Sequence, residues 1–241
     1  VTSGSTLALA GVVGGAGTTR TTVEFGATLA RAGRDVALLD AAFATQGLAA
    51  YVPGRIDPDL TALCTGTGEL TDGLVDLALD VPGRLAACPA RAPFERLARA
   101  KTPEAARRFE GLLDSAAARF DHVLVDTPPV AANQAVAAVT SADRVALVAP
   151  DTERGLDRLP TMRDRFHDLG APVDAVVATR TDPGEAVEPA DAAIPESDVR
   201  TVADLPISAD PDTEFAPAVA VAVERVLDTD LGLEFPEEGL L

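Results

Sequence analysis

Lysine is almost missing from this chain. Of 20 basic residues, one, Lys101, is a lysine and the rest are arginines. There is no tryptophan, a single tyrosine and a single methionine, and aromatic residues make up 4% of the 241 positions. Two cysteines, Cys64 and Cys88, lie far apart in apolar stretches without a second ligand at zinc spacing, so they read as buried thiols rather than a disulfide or metal pair. His122 and His167 are equally isolated, and Ser3 and Ser5 have no acid or histidine partner that spacing alone identifies. No apolar run approaches the ~18 residues of a membrane span, and no basic segment precedes the first apolar stretch. These absences exclude a disulfide scaffold, a zinc module and a membrane-spanning helix, and a cytoplasmic protein is expected.

Acid is what the chain has in excess. Thirty-eight Asp and Glu give a net charge of -18. Strongly hydrated carboxylates with few lysines suit a salt-loaded cytoplasm, in which screening suppresses self-repulsion. The composition points to a halophile, such as a halophilic archaeon, against an ordinary acidic protein from a GC-rich genome. The length suits one α/β domain over residues 1–230. The acidic stretch 231–241, with Glu234, Glu237 and Glu238 and no base, reads as a flexible tail.

Short apolar runs alternate with helical patterns. Strands are expected at Thr6–Val12, Asp35–Leu39, Arg84–Cys88, His122–Val125, Arg144–Val148 and Val173–Ala178. Helices are expected at Thr19–Ala32, Pro103–Arg119, Ala131–Thr140, Glu153–Leu169 and Pro217–Leu227, with Gly33 and Gly170 at C-terminal cap positions. Continuous rather than alternating apolar runs mean burial on both faces. The pattern therefore specifies a doubly wound, mostly parallel sheet with helices on both sides and ligands at the carboxyl ends of its strands. Residues 53–100, rich in Pro, Gly, Thr and Asp, are expected to decorate that sheet.

Directly after the first strand comes Gly11-Val12-Val13-Gly14-Gly15-Ala16-Gly17-Thr18-Thr19-Arg20. Three glycines before a hydroxyl-rich helix start are the layout in which backbone N–H groups and a helix N-terminus cradle a phosphate. The same glycines would also serve a tight turn and close helix packing alone. Asp151, Glu153 and Asp157 read as acids favouring a helix N-terminus rather than a metal cluster, and Arg154, Arg158, Arg163 and Arg165 as a solvated helix face rather than a DNA-binding stripe.

In this register the chain resembles the ParA/MinD group of deviant Walker-A P-loop ATPases, whose loop reads G-K-G-G-x-G-K-[ST]-T. Laid on without gaps, the motif starts at Val12. Asp40 falls at the first acid of the family's Asp-x-Asp switch, and Val123-Leu124-Val125-Asp126-Thr127-Pro128-Pro129 is similar to its second switch. Ala149-Pro150-Asp151-Thr152, Val176-Val177-Ala178-Thr179-Arg180 and the stretch from Ala193 to Ile207 resemble later family segments. The resemblance implies ATP contacts at Gly14, Gly15, Ala16, Gly17, Thr18, Thr19, Arg20, Thr179 and Arg180, and Mg2+ contacts at Thr19, Asp40 and Asp126.

Departures from the family pattern bear most on chemistry. Val13 replaces the signature lysine that reaches across a nucleotide-sandwiched dimer, and Thr18 the lysine that neutralises the β- and γ-phosphates. Ala42 takes the place of the water-positioning acid and Thr179 that of the adenine-reading Asn. Each lost charge-assisted phosphate contact costs roughly 1.5–3 kcal/mol. In this register Arg20 lies roughly 200° round the helix from position 18 and is expected to point away from the loop, unless a shifted helix start turns it inward. The resemblance implies a positioning protein for cell division, chromosomes or surface appendages, with a protein partner, weak ATP binding and little or no hydrolysis, and with a homodimer open. The alternative is a scaffold that binds no nucleotide and pairs with an active paralogue. DNA binding and membrane insertion are not expected at this charge.

Overall fold

The computed structural model describes residues 4–130 and 132–236. Eight strands, β1 (Ser5–Gly11), β2 (Asp35–Asp40), β3 (Val75–Asp76), β4 (Arg84–Cys88), β5 (His122–Thr127), β6 (Arg144–Pro150), β7 (Ala175–Thr181) and β8 (Ala192–Pro195), form one sheet in the order β3-β4-β2-β5-β1-β6-β7-β8. All neighbours run parallel except β3, which is antiparallel to β4. The doubly wound, mostly parallel α/β sheet expected from the sequence is the fold observed. Neither edge strand was expected as a strand. β3 spans two residues and β8 four, ending in proline, too short for periodicity to register.

Burial alternates by side, which is why the strands read as continuous apolar runs. Leu7 and Leu9 of β1 face the layer of α1 (Thr18–Arg31) and α9 (Phe215–Leu227), where Phe25, Leu29, Val219 and Val223 meet them. Ala8 and Ala10 face the opposite layer, under α6 (Asn133–Ser141), α7 (Glu153–Leu156) and α8 (Leu159–Asp168). Further along that side, α2 (Leu60–Thr65), α3 (Leu70–Gly73), α4 (Phe94–Ala100) and α5 (Pro103–Ala117) cover β2, β4 and β5 around Phe43 and Phe109, whose rings meet edge to face at 6.5 Å.

Three boundaries differ from expectation for local reasons. The helix expected over Glu153–Leu169 is two helices, with Asp157 and Arg158 joining them and Pro160 in the first turn of α8, where its missing N–H costs nothing. The last helix starts two residues before Pro217, which sits inside its first turn. The helix expected from Ala131 starts at Asn133, Ala131 itself lying outside the described residues. Of the stretch 231–241 expected to be flexible, Arg31 holds residues 234 and 235, donating to the Glu234 carbonyl at 2.8 Å and stacking over the Phe235 ring; 237–241 lie outside the described residues. Among the described residues no helix is long and apolar enough to cross a membrane.

Residues 53–100, expected to decorate the sheet, also supply its strands β3 and β4, and their helices pack beside them around a buried acid. Asp59, 1% exposed, accepts hydrogen bonds from Thr61 Oγ1 (2.7 Å), Ala62 N (3.1 Å), Arg91 N (2.7 Å) and Arg96 Nη1 (2.6 Å). It caps α2, fixes the turn after β4 and anchors α4 at once. Removing one partner of a buried pair costs about 3–5 kcal/mol. Asp59→Ala is therefore expected to lower the unfolding free energy by about that amount in guanidinium titrations, and a loss below about 1 kcal/mol, the level of a surface pair, would contradict this role.

Candidate functional site

Strand β1 lies between β5 and β6, with β2 beyond β5 and β7 beyond β6. The connections diverge to either side of β1, so its carboxyl end opens a crevice, the usual ligand position in such sheets. From that end the chain turns through Val12–Gly17 into α1. Gly15 and Gly17 take φ of 77° and 89°, the left-handed region that glycine enters without strain. Gly14 and Gly15 are exposed. Helix α1 begins without a side-chain cap and with no acid in its first turn, so its first N–H groups face the loop unsatisfied by any capping side chain. That is the physical requirement for holding an anion.

Of the three residues for which the resemblance implies Mg2+ contacts, Thr19, Asp40 and Asp126, the first and last touch. Thr19 Oγ1 donates to Asp126 Oδ2 at 2.6 Å, joining the start of α1 to the end of β5. A 3-10 turn at Gly47–Ala50 closes over Thr19. Hydroxyl and carboxylate oxygens are the hard donors Mg2+ takes, usually with several of its waters retained, so this pair fits the ion. Asp40, opposite Asp126 in the β2–β5 register, is fully buried and accepts from Ala42 N (2.9 Å) and Ala90 N (3.2 Å). Backbone thus occupies both of its oxygens. Among the described residues no group of three or more His, Cys, Asp or Glu gathers as a metal cluster, Asp151, Glu153 and Asp157 included.

Burial and then the neighbouring Asp126 push the Asp40 carboxyl well above the carboxylate range. Asp126 is raised to about 6 by burial, against the opposing effect of the Thr19 hydrogen bond.

Positions matched to lysines carry no cation. Thr18 folds back over the strand end, its Oγ1 2.6 Å from where a Cβ on Gly11 would stand. Ala42 is buried and offers no acid. Thr179 and Arg180, at the end of β7, hold the loop itself: Thr179 Oγ1 donates to the Ala16 carbonyl at 2.8 Å, and Arg180 Nη2 to the Gly15 carbonyl at 2.6 Å.

Arg20 turns away from the loop into a cleft of about 480 Å³ beside it, shared with Gly17, Thr179 and Arg180. Its Nη1 donates to the Val199 carbonyl at 2.9 Å, its Nε stands 3.6 Å from Glu24, and its guanidinium lies 5.3 Å from the Phe215 ring centre. Glu24, 1% exposed, accepts from Ser208 N (2.9 Å) and Ser208 Oγ (2.6 Å). Glu24 and Ser208 escaped the sequence reading because a pair 184 positions apart leaves no local pattern. Tyr51 and Phe215 also line the cleft wall. Ser5 does have a histidine partner, His122 Nδ1 at 2.7 Å, but at the amino edge of the sheet, away from the loop.

Neither a family model nor a curated protein sequence matches the chain. Solved structures do. MinD from Pyrococcus horikoshii, a septum site-determining protein complexed with Mg-ADP, superposes with a TM-score of 0.76 at 20% identity over 92% of this chain and 96% of its own. A plasmid partition protein from Borrelia burgdorferi bound to AMPPNP gives 0.73 at 14% identity, covering 94% and 99%. The chain has the MinD/ParA-type P-loop fold. Cobyrinic acid a,c-diamide synthase from Mycobacterium smegmatis, with bound ADP and magnesium, shares it at a TM-score of 0.66 and 19% identity over 92% and 95%. One fold thus serves different chemistries, and function rests on the site.

Asp126 makes a pH prediction. Its carboxyl ionises near pH 4 when unfolded and at about 6 when folded, so folding takes up a proton between these values and stability falls as pH rises through them. Asp126→Asn, which keeps the acceptor for Thr19, is expected to flatten that slope. At pH 8 without Mg2+ it should raise Tm by about 2–4 °C for each kcal/mol relieved. Thermal melts in chelator at pH 4.5 to 8 check this; an unchanged slope would contradict it.

Proposed function

We propose that this chain is a ParA/MinD-like nucleotide-binding protein that binds ATP with Mg2+ weakly at the Gly14–Thr19 loop, hydrolyses it little or not at all, and acts in spatial positioning through a protein partner that reads the bound state. The observation that carries the reading is the Thr19–Asp126 hydrogen bond beside uncapped α1 amides, with Thr18 in place of a cation. The elements that seat a Mg-phosphate are kept and those that neutralise charge and place a water are gone. Phosphoryl transfer depends chiefly on charge stabilisation and positioning, so these losses fall harder on turnover than on binding. Gly14, Gly15, Ala16, Gly17, Thr18 and Thr19 would contact the phosphates through backbone amides and hydroxyls. Thr19 and Asp126 would hold Mg2+ directly or through water, with Asp40 behind them.

The positioning role rests on the fold shared with MinD and the partition protein. The partner could be a second copy, a paralogue or a positioning complex; a net charge of -18 and a salt-loaded cytoplasm both oppose DNA. One observation favours the second reading, a scaffold without nucleotide. Thr179, at the adenine-reading position, spends its hydroxyl on the Ala16 carbonyl, leaving no side-chain reader for a base there.

Calorimetry with ATP and Mg2+ in molar potassium chloride separates the two. Millimolar binding is expected for the native chain, strengthened about ten- to a hundredfold by Thr18→Lys. Phosphate release should stay at background in that variant unless Ala42→Asp is added. Absence of binding in both proteins would overturn the nucleotide reading and leave the scaffold.

A further inference from the structure

A second cleft, of about 260 Å³, adjoins the loop on its outer side. Val13 and Gly14 form one wall and Pro129, after β5, another; Arg154, Arg158 and Arg165 line the third. Its floor is apolar, Val12 and Met162 each being 4% exposed. Arg154 comes from α7, Arg158 from the turn that joins α7 to α8, and Arg165 from α8, and the break between the helices lets all three line one cleft. Arg165 Nη1 donates to the Val130 carbonyl at 3.1 Å, which ties α8 to the segment after β5 and fixes the cleft's width.

The guanidinium groups of Arg154 and Arg158 have neither a hydrogen bond nor an ion pair among the described residues, although Asp151, Glu153 and Asp157 surround them in sequence. Like charges lining one cleft repel, and an acidic chain has ample carboxylates to neutralise them. Leaving both guanidinium groups open in a concave, apolar-floored cleft is the arrangement of a receptor for an anion. The planar guanidinium fork matches phosphate oxygens.

We propose that Arg154 and Arg158 supply the charge that the loop lacks, holding the terminal phosphate of a nucleoside triphosphate whose inner phosphates lie on the loop amides. The assignment rests on the nucleotide reading above. Gly14 belongs to both the loop and the cleft, so a chain of phosphates leaving the loop at its outer lip meets the arginines next. A ligand ending at its second phosphate stops short of them. The site therefore distinguishes triphosphate from diphosphate, the distinction a positioning switch reads.

The test is calorimetry with inorganic tripolyphosphate, ATP and ADP, each with Mg2+, at one potassium chloride concentration at which circular dichroism shows every variant folded. The native chain is expected to bind tripolyphosphate and to prefer ATP over ADP at least tenfold. Arg154→Ala with Arg158→Ala should erase that preference and weaken tripolyphosphate at least tenfold, with ADP unchanged within about twofold. Arg163→Ala, which removes the same charge outside this cleft, should change nothing. Equal loss for ATP and ADP, or none in the double variant, overturns the cleft as a terminal-phosphate site while leaving the loop's nucleotide reading intact. Arginine-dependent tripolyphosphate binding without any ATP binding supports the anion site and overturns the nucleotide reading. Hexaglutamate bound through these arginines more tightly than tripolyphosphate overturns the assignment in favour of an acidic protein segment.

Discussion

Because β1 is paired on both edges and covered on both faces, the chain leaving it has one way out, at the carboxyl edge of the sheet, and must turn at once into α1. A turn that tight needs positive φ at Gly15 and Gly17, and it delivers the start of α1, uncapped, to the edge where β2, β5, β6 and β7 also end. The rest of the site depends on that turn. Thr19 meets Asp126 because α1 starts where β5 stops, and Thr179 and Arg180 reach the loop carbonyls because β7 ends on its other side.

That constraint separates what the fold supplies at the site from what individual side chains decide. Backbone amides and the Thr19–Asp126 pair follow from the fold and survive while the sheet and helix survive. The charges do not follow from the fold. Thr18 against Gly11, buried Ala42 and outward-turned Arg20 are side-chain choices, and none of the three puts a charge into the loop interior. Arg154 and Arg158 place charge at the outer lip, from α7 and from the turn that joins it to α8.

Much of the fold was legible from residue pattern. Glycines after an apolar run located the turn, and the strands β1, β2, β4, β5, β6 and β7 stood out because their central residues, buried on both faces, form continuous apolar runs. The edge strands β3 and β8 were not legible, since two to four residues carry no periodicity. The break between α7 and α8 was hidden because Pro160 falls in a first turn, where it disturbs nothing a pattern would show. At the sheet's carboxyl edge, the nearness of Thr19, Asp40 and Asp126 agrees with their register, and Arg20 was expected to turn away from the loop by helical angle. Glu24 with Ser208, the capture of Thr179 by the loop carbonyl, and the shared cleft of Arg154 with Gly14 depend on tertiary proximity, to which residues far apart in sequence give no clue.

The central claim is that the chain holds an intact nucleoside triphosphate without cleaving it. Equilibrium dialysis of one sample against ATP labelled at the α-phosphate and, in parallel, at the γ-phosphate, with Mg2+ in molar potassium chloride, tests both halves at once. Equal retention of the two labels over many hours is the predicted result. Selective loss of the γ label would show hydrolysis, and retention of neither would show that the loop holds no nucleotide; either would contradict the account.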